Sequence, residues 1–211
     1  MIICRSPAFN SLACLFALLA AFSGSARIPA AAQEPAGPVT RTYSTIDDVR
    51  TNKSGLCKII SRSGDKEDPV IDERCPPGPG GWPVTMYSAD ARVYVSFGHQ
   101  AKAGATVMDA LDGAFADPHS VIEWRLRDGE PYAAIHRYFF DGKQVLTVHR
   151  LNRDRTSCVA AVVAVERGRD ANAEAIRIAD DIVPNFRCGD DKLITTAQAQ
   201  SPASPAPSSP D

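Results

Sequence analysis

From Ile122 to Leu151 the chain reads IEWRLRDGEPYAAIHRYFFDGKQVLTVHRL, three alternating runs separated by Asp128-Gly129 and Asp141-Gly142. Alternation of apolar and polar residues with period two marks strands with unlike faces. Each Asp-Gly supplies the positive φ that a two-residue hairpin turn requires. Counting outwards from the first turn opposes Trp124 to Ala133 and Ile122 to Ile135. Counting from the second opposes Phe139 to Gln144, Arg137 to Leu146 and Ile135 to Val148. This register gathers Ile122, Trp124, Leu126, Ile135, Phe139, Leu146 and Val148 on one face, which is expected to be the core. It gathers Glu123, Arg125, Tyr132, His136, Tyr138, Thr147 and His149 on the other, which is expected to face solvent.

The rest of the pattern extends this sheet. Residues 55–62 and 69–75 read as the two arms of a hairpin around Ser63–Asp68, and residues 84–98 as two strands around Ser88–Ala91. Val107, Met108, Leu111 and Phe115 fall at helical spacing and predict a short helix. Residues 157–166 are apolar on both faces and predict an inner strand. Asp170 is a good N-cap for a helix running to Val183, with Ala171, Ala175, Ile178 and Ile182 as its buried stripe. Pro184 marks its end. The predicted class is α+β: an antiparallel meander with one principal C-terminal helix packed on one face. Trp82, between glycines and prolines, is expected to plug the end of the core.

The two ends of the 211-residue chain differ from its middle. Residues 1–32 have the apolar run and small residues of a signal peptide, and the run is too short to span a bilayer. Residues 33–42 read as a flexible lead-in. Residues 195–211 are rich in Pro, Ala and Ser and are expected to be disordered. That leaves 43–194 as one domain. Without residues 1–32 the chain carries 21 basic against 25 acidic residues, a balance that lacks the basic footprint of a nucleic-acid binder. Stable membrane insertion is not expected either. The cysteines left after signal removal, Cys57, Cys75, Cys158 and Cys188, are even in number, and in an exported chain they predict two disulfides. Four cysteines allow three connectivities. Pairing within local units favours Cys57–Cys75 and Cys158–Cys188. No closely spaced Cys pair of the zinc-binding kind occurs.

Two histidines and a carboxylate lie close in the expected register. Glu123, His136 and His149 have ligand chemistry suited to a divalent metal, or to acid–base work. Arg125, Tyr132 and Tyr138 lie on the same expected face and have the composition of a contact surface for an envelope protein or a glycan. The sequence has no G-x-S-x-G, H-E-x-x-H, P-loop or dinucleotide fingerprint.

The succession CPPGPGGWPV (75–84), ARVYVSFG (91–98), IEWRLRDGEPYAAIHRYFF (122–140) and a closing Cys158-strand-helix-Cys188 resembles a group of small exported proteobacterial proteins of unknown function. The likeness runs from about Tyr43 to Cys188. It implies a periplasmic or secreted location and carries over no catalytic residue. The expected function is non-enzymatic binding through an exposed sheet face. The competing expectation is a metal-binding or hydrolytic enzyme built on Glu123, His136 and His149.

Overall fold

Strands dominate the computed structural model, which describes residues 37–51 and 55–196. In chain order they are β1 (Val39–Thr45), β2 (Lys58–Gly64), β3 (Pro69–Arg74), β4 (Val84–Ala89), β5 (Arg92–Phe97) and β6 (His99–Gln100), then α1 (Val107–Ala110). They continue as β7 (Asp117–Arg127), β8 (Glu130–Phe140), β9 (Lys143–Leu151), β10 (Thr156–Ala164), α2 (Ala171–Arg177) and β11 (Ile194–Thr195). The expected signal peptide and nearly all of the expected tail lie outside the described residues. β1 begins at Val39, inside the stretch expected to be a flexible lead-in, and Thr196 Oγ1 still accepts a hydrogen bond from Ala164 N–H.

The fold is α+β with two sheets, one main helix and two disulfides. β2–β3–β4–β5 form an antiparallel four-stranded sheet. β1–β7–β8–β9–β10–β11, with β6 also on β10, form a mixed seven-stranded sheet. The second sheet changes the expected architecture, because it covers the face of the large sheet that was expected to meet solvent. On one side lie α2 and its continuation, with Ala133, Ile135, Leu146, Val148, Ala175, Ile178 and Val183 in a common core. On the other side lies the small sheet, with Met86, Val95 and Phe97 packed against Ile122, Trp124 and Ala134.

The expected faces are corrected by one residue. From the second Asp-Gly turn the pairing is as counted, with Arg137 opposite Leu146 and Ile135 opposite Val148. From the first it slips: Arg125 pairs with Ala133 and Leu126 with Pro131, leaving Tyr132 as a bulge, so Trp124 opposes Ala134 and Ile122 opposes His136. Pro131 lacks an N–H, and bulges are where sheets tolerate proline. A slip of one residue exchanges faces. Ile122, Trp124 and Leu126 therefore share a side with His136, Tyr138, Thr147 and His149, facing the small sheet. Glu123 and Arg125 share the helix side with Ile135, Leu146 and Val148.

The helix is also more irregular than its spacing predicts. Asp170 caps α2 through Ala173 N–H, but after Arg177 the backbone widens into a π turn over Ile178–Ile182 and closes as a 3-10 turn at Val183–Asn185. Ala179 and Val183 are fully buried in place of the expected Ile182, which is only partly buried. Residues 100–115 yield just the one-turn α1, held by a capping box between Thr106 and Asp109. Trp82 is buried as expected.

Cys57–Cys75 joins the approach to β2 with the end of β3, and Cys158–Cys188 joins β10 with the segment after the helix. Two disulfides fit folding in an oxidising compartment. Among the described residues no helix is long and apolar enough to cross a membrane.

Gly98 is the point where the chain leaves the small sheet and enters the large one. Its φ is +66°, and an added Cβ would lie 2.2 Å from the Arg155 carbonyl oxygen. Gly98→Ala is therefore expected to cost about 2 kcal/mol or more in urea unfolding followed by circular dichroism. Gly142→Ala shares the positive φ but meets nothing within 4 Å, so it should cost only about 1 kcal/mol.

Candidate functional site

The large sheet separates the residues singled out as a metal set. His136 and His149 lie between the two sheets, 1% and 2% exposed, with their rings edge-on to Phe97. Glu123 points to the opposite side, where its Oε1 lies 3.1 Å from Arg125 Nη1. The three therefore do not form a site, and no group of three or more His, Cys, Asp or Glu among the described residues could hold a metal ion. The bulge at Tyr132 is the physical reason, since it moves the two histidines and the carboxylate to different faces.

The interior polar groups find partners in each other. A second irregularity in β7, between Pro118 and Ile122, brings the His119 carbonyl to 2.7 Å from His136 Nε2, which donates to it. The Thr147 hydroxyl donates to the His136 carbonyl and lies 3.0 Å from His149 Nε2. Val95 N–H, on the free edge of β5, donates to the Tyr138 hydroxyl at 3.0 Å. His136 Nδ1 is buried without a partner among the described residues. Burial drives the His136 pKa down to about 4. Burial, with the nearby His136, drives that of His149 down to about 3. Both rings are neutral at physiological pH. Tyr138, expected at the surface, is fully buried, and burial pushes its pKa upwards.

On the helix side the expected contact residues Arg125 and Tyr132 do come together, around a residue the sequence reading missed. The π turn places Asp180 above β7 and β8. Arg125 grips its carboxylate with Nε at 2.9 Å and Nη2 at 2.5 Å, and the Tyr132 hydroxyl donates to it at 2.7 Å. Burial opposes the charge on Asp180, but the hydrogen bonds from Arg125 and Tyr132 outweigh it and hold the carboxyl below its usual range. The same burial and Asp180 hydrogen bond raise the Tyr132 pKa. Arg125 is only 7% exposed. It therefore fastens helix to sheet and is not the exposed contact expected of it. No signal in the sequence marked Asp180, because the π turn has no spacing signature.

Next to this clasp the surface opens. The Arg127 guanidinium lies 4.9 Å from the centre of the Tyr132 ring. On β1, Val39 pairs with Arg127, Arg41 with Arg125 and Tyr43 with Glu123, so all of them share the helix-side face. Tyr43 is 53% exposed and Val39 38%. No family model, curated protein or solved structure matches the chain.

Two outcomes follow from this geometry. The unfolded chain takes up histidine protons from about pH 6.5 downwards, whereas the buried pair waits until about 4 and 3. Stability should then fall as pH drops below 6.5, by about 1.4 kcal/mol per histidine for each unit until the folded pKa is reached. His149→Gln should flatten the slope of urea-derived stability between pH 6.5 and 4.5. An unchanged slope would mean that the pair does not set the acid limit. Separately, Asp180→Asn weakens the clasp around a buried guanidinium, with an expected loss of about 1–3 kcal/mol, while Asp181→Asn in the same turn should be near neutral in the same denaturation assay.

Proposed function

We propose that this chain is a non-enzymatic exported protein of the cell envelope, periplasmic or secreted, that binds a protein or glycan through the open end of its helix-side face. In this reading β7–β10 are a meander that serves as scaffold, and the helix covers one of its faces. One observation carries the proposal. α2 and its continuation pack across β8, β9 and β10, while the β1–β7 end of the same face carries Val39, Arg41, Tyr43 and Arg127, with the Tyr132 ring of β8 beside Arg127. Tyrosine and arginine are the residue types on which binding energy concentrates. The Arg125–Asp180–Tyr132 clasp holds their backbone rigid beneath them, which lowers the entropy lost on binding. The disulfides and the resemblance to exported proteobacterial proteins support the location.

The test is capture from an envelope fraction on immobilised protein, followed by affinity measurement with the partner recovered. Arg127→Glu is expected to weaken that affinity about tenfold or more, the scale of a binding hot spot. Tyr138→Phe alters the sealed interior and should leave the affinity unchanged although it lowers the melting temperature. Equal loss in both variants would place the contact elsewhere.

A further inference from the structure

The strand edges of the two sheets are treated very differently. The outer edge of β10 is covered at both ends, by β6 beside Thr156 and Ser157 and by β11 beside Ala161 and Val162, and Ala105 bridges to Val159 between them. The free edge of β5 lies over the large sheet, where Val95 N–H meets the Tyr138 hydroxyl. β2 is exposed, but its register shifts between Ile59 and Ser61, and Lys58 and Arg62 flank the shift. Covering, bulges and charges are the usual guards against edge-to-edge pairing. Among the described residues nothing covers β1, no bulge interrupts it, and it carries a single charge. It runs for seven consecutive pairs against β7 without a shift, and it is the last strand of its sheet.

The free side of β1 is self-complementary. Ile46 N–H donates to the Ser120 carbonyl, so by alternation Thr40, Thr42 and Ser44 turn their backbone groups to β7. Val39, Arg41, Tyr43 and Thr45 turn theirs outwards. A second β1 laid antiparallel on this edge, with a two-fold axis at Thr42, opposes Arg41 to Tyr43, Thr40 to Ser44 and Val39 to Thr45. Arg41 and Tyr43 would then exchange both backbone hydrogen bonds, and no like charges face each other within the new pair. On the helix-side face a row across four strands would read Arg125, Arg41, Tyr43 of the second copy and Glu123 of the second copy. Cation, cation, aromatic ring and carboxylate stand in sequence, and the two-fold repeats the row in reverse. An axis at Arg41 puts Arg41 against itself, and an axis at Tyr43 opposes Arg41 to Thr45 and breaks the row.

We propose that the β1 edge is a homodimer interface, in which β1 of two copies pair antiparallel about Thr42 and join the two large sheets into one. A self-complementary patch of this kind is what a two-fold dimer requires. Strand addition at an open edge supplies the backbone hydrogen bonds.

The experiment is sedimentation of the purified full exported chain at concentrations up to about 100 µM, a range that reveals even weak association, together with three variants. The wild-type chain should sediment as a dimer at the upper end. Tyr43→Arg sets arginine against Arg41 of the other copy and should weaken association at least about tenfold. Within one copy the new arginine stands beside Glu123, so the fold should be kept, as circular dichroism would show. Arg41→Glu combined with Tyr43→Arg restores opposite charges across the two-fold and should bring the dimer back. Thr42→Cys places a thiol next to its own copy at the closest type of strand pair, within disulfide reach, and should form a covalent dimer under mild oxidation, where Thr40→Cys should not. A wild-type chain that stays monomeric at every concentration overturns the proposal. So does a dimer indifferent to Tyr43→Arg, or cross-linking that is equal at Thr40 and Thr42.

Discussion

Tyr138 sits where the two sheets meet, and its hydroxyl takes the hydrogen bond that the inner edge of β5 would otherwise leave unmade. An unpaired backbone N–H at this depth would cost on the order of a hydrogen bond or more. Because that donor is satisfied, the small sheet can end on top of the large one instead of beside it. The neighbouring polar groups follow the same rule. His136 donates to the His119 carbonyl, Thr147 donates to the His136 carbonyl, and His149 lies against Thr147. The polar row across β8 and β9 thus belongs to the interior, as a small network that leaves His136 Nδ1 without a partner among the described residues, with Phe97 against its rings.

The two faces of the large sheet are specialised in consequence. The side under the small sheet is sealed, and its titratable groups are held neutral. The side under the helix is sealed only partway, and its ionic groups gather where the cover ends. Arg125 spans the boundary. Its guanidinium is buried against Asp180, while Arg41 and Tyr43 beside it are exposed and Arg127 is half-buried. In the proposed reading, the clasp gives rigid support beneath an aromatic and cationic surface, which lowers the entropy lost on binding.

Much of the fold could be read from the chain alone, and the losses have identifiable causes. Both Asp-Gly turns form hairpins, the local cysteine pairs close, Asp170 caps its helix, and Trp82 and Trp124 are buried. The face assignment failed at one residue, because Pro131 made a bulge that counting from the turn could not register. The second sheet was legible only as separate strands. Nothing in residues 58–97 indicates which side of β7–β10 they will cover, since long-range sheet packing leaves no local periodicity. Asp180 was invisible for a similar reason. A 3.6-residue stripe places it beside the sheet only after the π turn has displaced it.

The described cysteines pair in the order in which they occur, first with second and third with fourth. For a chain entering an oxidising compartment amino terminus first, each thiol meets its native partner before the next pair emerges. Stepwise oxidation along the thread then leads straight to the correct bridges. Consecutive pairing of this kind lessens the reliance of such a molecule on disulfide reshuffling.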